Sequence, residues 1–278
     1  MNTDLNQDMD NTKMPLLDHL IELRSRLMWS LASILLLFIV IFPFSENVYQ
    51  VLVQPLADIF EELGGQRRLI FTALHEAFFT YIKLSLITAL FIAFPFISMQ
   101  FWMFVAPGLY KNEKKALAPF LIATPVLFFL GGAMVYFIVM PWAYEFLLAF
   151  ELEGAPGTLP IVSEPKVNEY LSLSINLIFA FGVCFELPVV LTLLGRIGII
   201  SSKGMVEKRK YAILISFVVA AIITPPDVIS QIMLASFLII LYEVSILSVR
   251  LIEKGRVSEM GEEEQTASNE NASDASST

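Results

Sequence analysis

The sequence predicts an all-α integral membrane protein with six transmembrane helices, and three observations carry that prediction. Apolar residues fill 56% of the 278 positions and charged residues only 16%, a balance outside the range of soluble domains. Four apolar runs reach about 18 residues or more, enough to cross a ~30 Å hydrocarbon core as helices. The 18 Lys and Arg residues also fall very unevenly between the two sets of loops that those runs define.

Residues 1–26 are polar or amphipathic, and no small-x-small cleavage pattern follows the first apolar run, so the first helix is expected to remain in the mature protein. This segment ends in His19-Leu-Ile-Glu-Leu-Arg-Ser-Arg26, which sets one carboxylate, Glu22, among apolar residues and two arginines. It stands directly before the chargeless run 27–44, the first span. The turn reads either as a topological anchor or as a docking site. A loop region over 45–77 then includes a short amphipathic helix at 49–63, stopped by Gly64-Gly65.

Runs 84–105 and 116–140 give the second and third spans. The stretch between them holds a single acid, Glu113, beside Lys111, Lys114 and Lys115. Residues 141–168 begin with Trp142 and Tyr144, which suit an interfacial belt, and continue rich in Glu, Pro and Gly. Run 171–194 is the fourth span. Segment 212–224 has about 13 apolar residues, short of the usual ~20. The tight turn Thr224-Pro-Pro-Asp227 joins it to run 228–249, so the pair reads as a helical hairpin supplying helices five and six. The acidic tail, 251–278, is rich in Ser, Ala, Asn and Glu from about Gly255 and is expected to be disordered. The membrane domain is therefore expected to span 27–250.

Sorting the basic residues by loop puts fourteen of the 18 on the side of the two termini and leaves Arg67, Arg68, Lys83 and Lys166 on the other. The positive-inside rule then places both termini in the cytoplasm. No internal repeat is visible, which weakens an inverted-repeat carrier. Cys184 is the only cysteine, so intramolecular disulfides and CxxC chemistry are excluded. His75-Glu76 has no second histidine, and GxSxG and Walker A patterns are missing, so no enzyme, cofactor or metal site is expected. No polybasic nucleic-acid surface is present.

Four acids stand out. Glu186, in Phe181-Gly-Val-Cys-Phe-Glu-Leu-Pro188, falls ~22 Å and ~15 Å from the ends of its run, near the bilayer midplane. It reads as a site of water access, gating or passage, or as an acid bonded to a neighbouring helix. Pro188 invites a kink beside it. Asp227 suits an N-cap of the last helix. Glu22 and Glu113 share one membrane face, and two separated carboxylates there can each accept a planar guanidinium fork.

With these segments in view, the chain closely resembles the TatC family, the six-helix receptors of the twin-arginine protein translocase. The likeness runs over 15–256. Its marks are His19-Leu-Ile-Glu-Leu-Arg24, Pro55-Leu56, Phe78-Phe79 with Lys83-Leu84, and Phe104-Val-Ala-Pro-Gly-Leu-Tyr-Lys-Asn-Glu113. The segment from Phe181 to Pro188 and Thr224-Pro-Pro-Asp-Val-Ile-Ser-Gln231 complete them.

The resemblance implies a receptor for signal peptides bearing consecutive arginines on folded cargo, with Glu22 and Glu113 as the binding carboxylates. It implies that Arg24, Phe104 and Tyr136 serve signal recognition or transport, and that Pro55, Glu186 and Asp227 serve transport. Thr224 with Gln231 would contact single-span partners of the TatA and TatB type. It further implies self-association in a receptor complex, the bacterial inner membrane as location, and the proton-motive force as energy source. Arg24 is expected to keep Glu22 oriented. The rival reading is a proton-coupled small-solute transporter with Glu186 as its proton carrier.

Overall fold

The computed structural model describes the backbone of residues 3–64, 67–109, 118–151, 159, 163–224 and 228–276, and side chains over most of 19–255. Its described residues are almost wholly helical: α1 (Thr3–Ile41), α2 (Ser45–Leu63), α3 (Glu76–Leu109), α4 (Ala118–Met134), α5 (Met140–Leu148), α6 (Val167–Cys184), α7 (Leu187–Arg196), α8 (Ser202–Glu207), α9 (Arg209–Ile223) and α10 (Val228–Ser276). A 3₁₀ turn, Phe42–Phe44, joins α1 to α2, and a π-helical turn, Val135–Val139, joins α4 to α5.

Among the described residues, five helical stretches are long and apolar enough to cross a membrane: His19–Leu63, Glu76–Phe104, Pro119–Leu148, Val167–Arg196 and Ser230–Gly255. The predicted class, an all-α multi-pass membrane protein, is the class observed. α9 has 15 residues, about 22 Å at 1.5 Å per residue, and falls short of a ~30 Å core as the short hairpin segment predicts. The helical backbone of α10 runs on past Gly255 to Ser276. Intrahelical hydrogen bonding needs no buried face, and the Ala and Glu of this segment are good helix formers.

Local sequence explains the breaks. Pro43 lacks an N–H and clashes with the preceding turn, so α1 ends at Ile41 and the chain bends through the 3₁₀ turn. α2 begins at Ser45, four residues before the expected start, and stops at Gly64, whose φ of 68° is open to a residue without a Cβ. The run predicted as one span over 171–194 breaks at Phe185-Glu186, giving α6 and α7. Pro188 lies in the first turn of α7, where its missing donor leaves no helical bond unmade.

The chain divides into two compact units, Met1–Phe179 and Ala180–Thr278. In the first, α1 packs chiefly along α3. Its centre is an aromatic cluster in which Phe94 stacks on Phe128 at 3.6 Å and Phe91 meets Phe128, Phe129 and Phe179. In the second, α10 packs on α7 and α9. A Cβ on Gly195 would stand 2.7 Å from a Val249 methyl, so glycine is what permits the close approach of α7 to α10.

Polar side chains inside helices close on their own backbone. Ser85, Ser174 and Ser245 are fully buried and donate to the carbonyls of Tyr81, Tyr170 and Leu241. Outward-facing apolar side chains such as Leu27, Trp29, Leu36 and Ile39 on α1 are largely exposed. Hydrocarbon is the solvent that such a surface suits.

The two loops expected on the outer side meet in the first unit. Ile70 pairs with Lys166 in a short parallel bridge, its N–H donating to Pro165 O and its carbonyl accepting from the Val167 N–H, each at 3.1 Å. Arg67 forms an ion pair with Glu151, which also accepts from the Ser163 N–H at 2.9 Å. Burial works to raise the Glu151 pKa. The Arg67 hydrogen bond and charge, with the Ser163 donor, outweigh that and hold it below the usual carboxylate range.

Candidate functional site

Glu22 sits on the face of α1 that meets α3. Its Oε1 accepts from Arg26 at 3.2 Å, four residues on, and Arg26 donates as well to Gln100 at 3.1 Å and approaches the Met103 sulfur at 3.5 Å. One turn before Glu22, His19 stacks on Phe104 with ring centroids 4.2 Å apart and planes 15° from parallel. The antiparallel register of α1 and α3 thus puts an aromatic shelf, a carboxylate and a guanidinium in one strip. Glu22 and Arg26 are about a third exposed, at 32% and 30%, so the carboxylate is held and still reachable.

This arrangement corrects one expectation. Arg24 does not orient Glu22: residues two apart lie ~200° around a helix, and Arg24 points outward and exposed. Arg26 has that role, and the i,i+4 spacing of Glu22 and Arg26 was the available signal. Gln100, Met103 and the stacking of His19 lacked any local signal, because each depends on where α3 lies. Phe104 belongs to this strip; Glu113, its expected partner carboxylate, lies outside the described residues.

Pro55 and Tyr136, singled out separately, prove to be linked. Pro55 is buried inside α2 and has no N–H for the Val51 carbonyl four residues back. Tyr136 supplies the missing donor, its hydroxyl reaching Val51 O at 2.7 Å from the π-helical turn. Tyr170 donates its hydroxyl to the next carbonyl, Leu52 O, at 2.7 Å, and its ring packs 5.1 Å from that of Tyr144, whose hydroxyl meets Ser174 at 2.6 Å. Intramembrane backbone carbonyls need such donors, since lipid offers none.

In the second unit, Glu186 occupies the break between α6 and α7 and is half-buried, with Oε1 shielded from solvent. Its backbone N–H donates to Val183 O at 3.0 Å, a tighter 3₁₀-type bond, and its carbonyl accepts from Val190 at 3.0 Å. Thr224 is buried at the end of α9 and donates its hydroxyl to Ala220 O at 2.9 Å. Gln231 lies half-buried in the first turn of α10. Asp227 lies outside the described residues. Glu243, near the α9–α10 contact, pairs with Arg209 at 2.6 Å.

Known proteins share this sequence and architecture. The profile described as "Sec-independent protein translocase protein (TatC)" matches residues 18–236. The Sec-independent protein translocase protein TatC of Magnetococcus marinus is 48% identical over 275 residues, covering 99% of this chain and 96% of its own length. Its namesake from Escherichia coli K12 is 37% identical over 243 residues, covering 87% and 91%. A crystal structure of a twin-arginine translocase receptor TatC aligns with a TM-score of 0.71 at 38% identity, covering 84% of this chain and 99% of that one. These likenesses favour a translocase component over the small-solute carrier. By sequence, architecture and extent of match, the chain belongs to the TatC family of Sec-independent protein translocase proteins.

Proposed function

We propose that this protein is the signal-peptide receptor and core scaffold of a Sec-independent translocase in a bacterial cytoplasmic membrane, with both termini in the cytoplasm. The observation that carries the reading is the strip formed by Glu22, Arg26, His19 and Phe104. Arg26 takes only Oε1 of Glu22, through one nitrogen. An incoming guanidinium can then engage the carboxylate by a two-point fork, with Arg26 shifting toward Gln100. Glu113 takes the second arginine of the signal, and the apolar surfaces of α1 and α3 receive its hydrophobic part. Arg24 on the exposed face meets the negative or polar parts of the cargo segment. A lysine ammonium cannot reproduce the planar fork.

Transport, rather than catalysis of bond chemistry, is the role. Single-span partners of the TatA and TatB type dock near Thr224 and Gln231, copies of the chain associate in the receptor complex, and the proton-motive force drives passage of folded cargo. Asp227 serves transport, and Glu186 at the helix break draws water into a bilayer thinned beside α9.

The test is photocrosslinking from position 104 to a twin-arginine signal, repeated with both arginines changed to lysine. We expect the lysine signal to lose most of the adduct. Undiminished crosslinking would remove the guanidinium argument.

A further inference from the structure

The seam between α3 and α6 in the first unit carries two cavities of about 410 Å³ each, one polar and one apolar. The polar cavity is lined by Lys83, Lys166, His75, Glu76 and Glu169, among others. The apolar one is lined by aliphatic and aromatic side chains including Ile87, Phe91, Ile175 and Phe179. They lie on the same faces of both helices. On α3, Glu76, Thr80 and Lys83 of the polar cavity are followed by Ile87 of the apolar one, an i, i+4, i+7, i+11 series. On α6, Asn168 of the polar cavity is followed by Ile175 and Phe179 of the apolar one, the i, i+7 and i+11 positions of the same series. Lys83 donates at 2.7 Å to Ser172, which holds the i+4 position between them.

Depth along the membrane sorts them further. The apolar spans of α3 and α6 begin at Glu76 and Val167, so the polar cavity stands where both helices enter the bilayer. Phe91 lies fifteen residues deeper than Glu76, about 22 Å along the axis. The only hydroxyl of Tyr136, which lines the apolar cavity, is already committed to Val51 O. Apart from the Thr88 hydroxyl the rest of that lining is apolar, so the cavity asks for an apolar occupant and the polar one for a small charged group.

We propose that this seam binds one membrane phospholipid with a phosphoethanolamine headgroup, its phosphate on Lys83 and Lys166 and an acyl chain in the groove beside Phe91 and Phe179. The charge pattern selects the headgroup. Two lysines face two glutamates, so the site matches a zwitterion better than a net anion. Glu76 is held by the Thr72 and Ala73 N–H groups at 2.7 and 3.2 Å, whereas Glu169 is 72% exposed and pairs loosely with Lys166 at 3.5 Å. Glu169 is thus the acceptor for the headgroup ammonium. The inference rests on the membrane-spanning fold and is independent of signal recognition.

Native mass spectrometry of the purified full chain, with phosphatidylethanolamine, phosphatidylglycerol and phosphatidylcholine of equal chain length, tests it. We expect at least ~5-fold greater retention of a single phosphatidylethanolamine. Lys83→Gln should abolish that preference, and Ala133→Phe, which fills the groove, should reduce retention severalfold. Ser172→Ala, which removes the hydroxyl partner of Lys83 and keeps its charge, should retain the lipid. Free phosphoethanolamine should fail to displace it. Equal retention of all three lipids, a preference for phosphatidylglycerol, or adducts unchanged in both Lys83→Gln and Ala133→Phe would overturn the proposal. Twin-arginine signal binding, measured on the same variants, should be unchanged and keeps the two readings separable.

Discussion

Pro55 removes a donor from α2, and Tyr136, 81 positions later in the chain, replaces it. That pairing makes a prediction at the level of single atoms. Tyr136→Phe leaves the Val51 carbonyl without its donor and should cost about 0.5–2 kcal/mol of thermal stability in detergent. Pro55→Ala restores a helix N–H to the same carbonyl, so Tyr136→Phe should cost much less in that background. Additive losses would show that the two residues act independently. Glu151 supplies a second residue-scale prediction. Because its folded pKa is depressed, its contribution is present above the unfolded value and is lost as pH falls through the folded one. Melting temperature should therefore decline between about pH 5 and pH 3, and Glu151→Gln should blunt that decline. Of these residues, Glu22 was legible because a lone carboxylate before an apolar run is conspicuous. Arg26 was half legible from its spacing. The Tyr136 bond was hidden, because a proline's freed carbonyl says only that a donor is needed and not which distant side chain brings it.

The helices themselves were legible, since lipid forces every spanning backbone to satisfy its own hydrogen bonds and so leaves long apolar runs as the signature. Their interruptions were less so. Pro188 announced a disturbance in the fourth span, and the structure turns it into a break that places Glu186 between α6 and α7. The π-helical turn at Val135–Val139 has no sequence mark that a hydropathy reading detects. Helix contact predicts opposite outcomes at two glycines. Gly195→Ala drives a Cβ to 2.7 Å from a fully buried Val249 methyl and should destabilise by about 1–3 kcal/mol. Gly255→Ala meets nothing within 4 Å and should be neutral or stabilising by up to ~1 kcal/mol. Thermal unfolding of both variants in the same detergent checks the contrast.

For the whole molecule, the charge asymmetry of the loops predicts its placement in the membrane. Reporter fusions after residues 26 and 256 should both report the cytoplasm, and a fusion within 152–162 should report the opposite side. A cytoplasmic signal from the last would reverse the orientation and remove Glu22 from the face where signals arrive. The central claim is that Glu22 itself holds an arginine of the signal. A double-mutant cycle measures it: signal affinity for the native chain and Glu22→Gln, each with the arginine pair intact and with its arginines changed one at a time to lysine. For one of those arginines, each single change should weaken binding about 10-fold, and the double change should weaken it little further, a coupling of about 1.4 kcal/mol. Losses that simply multiply, for either arginine, would place the signal's guanidinium groups elsewhere.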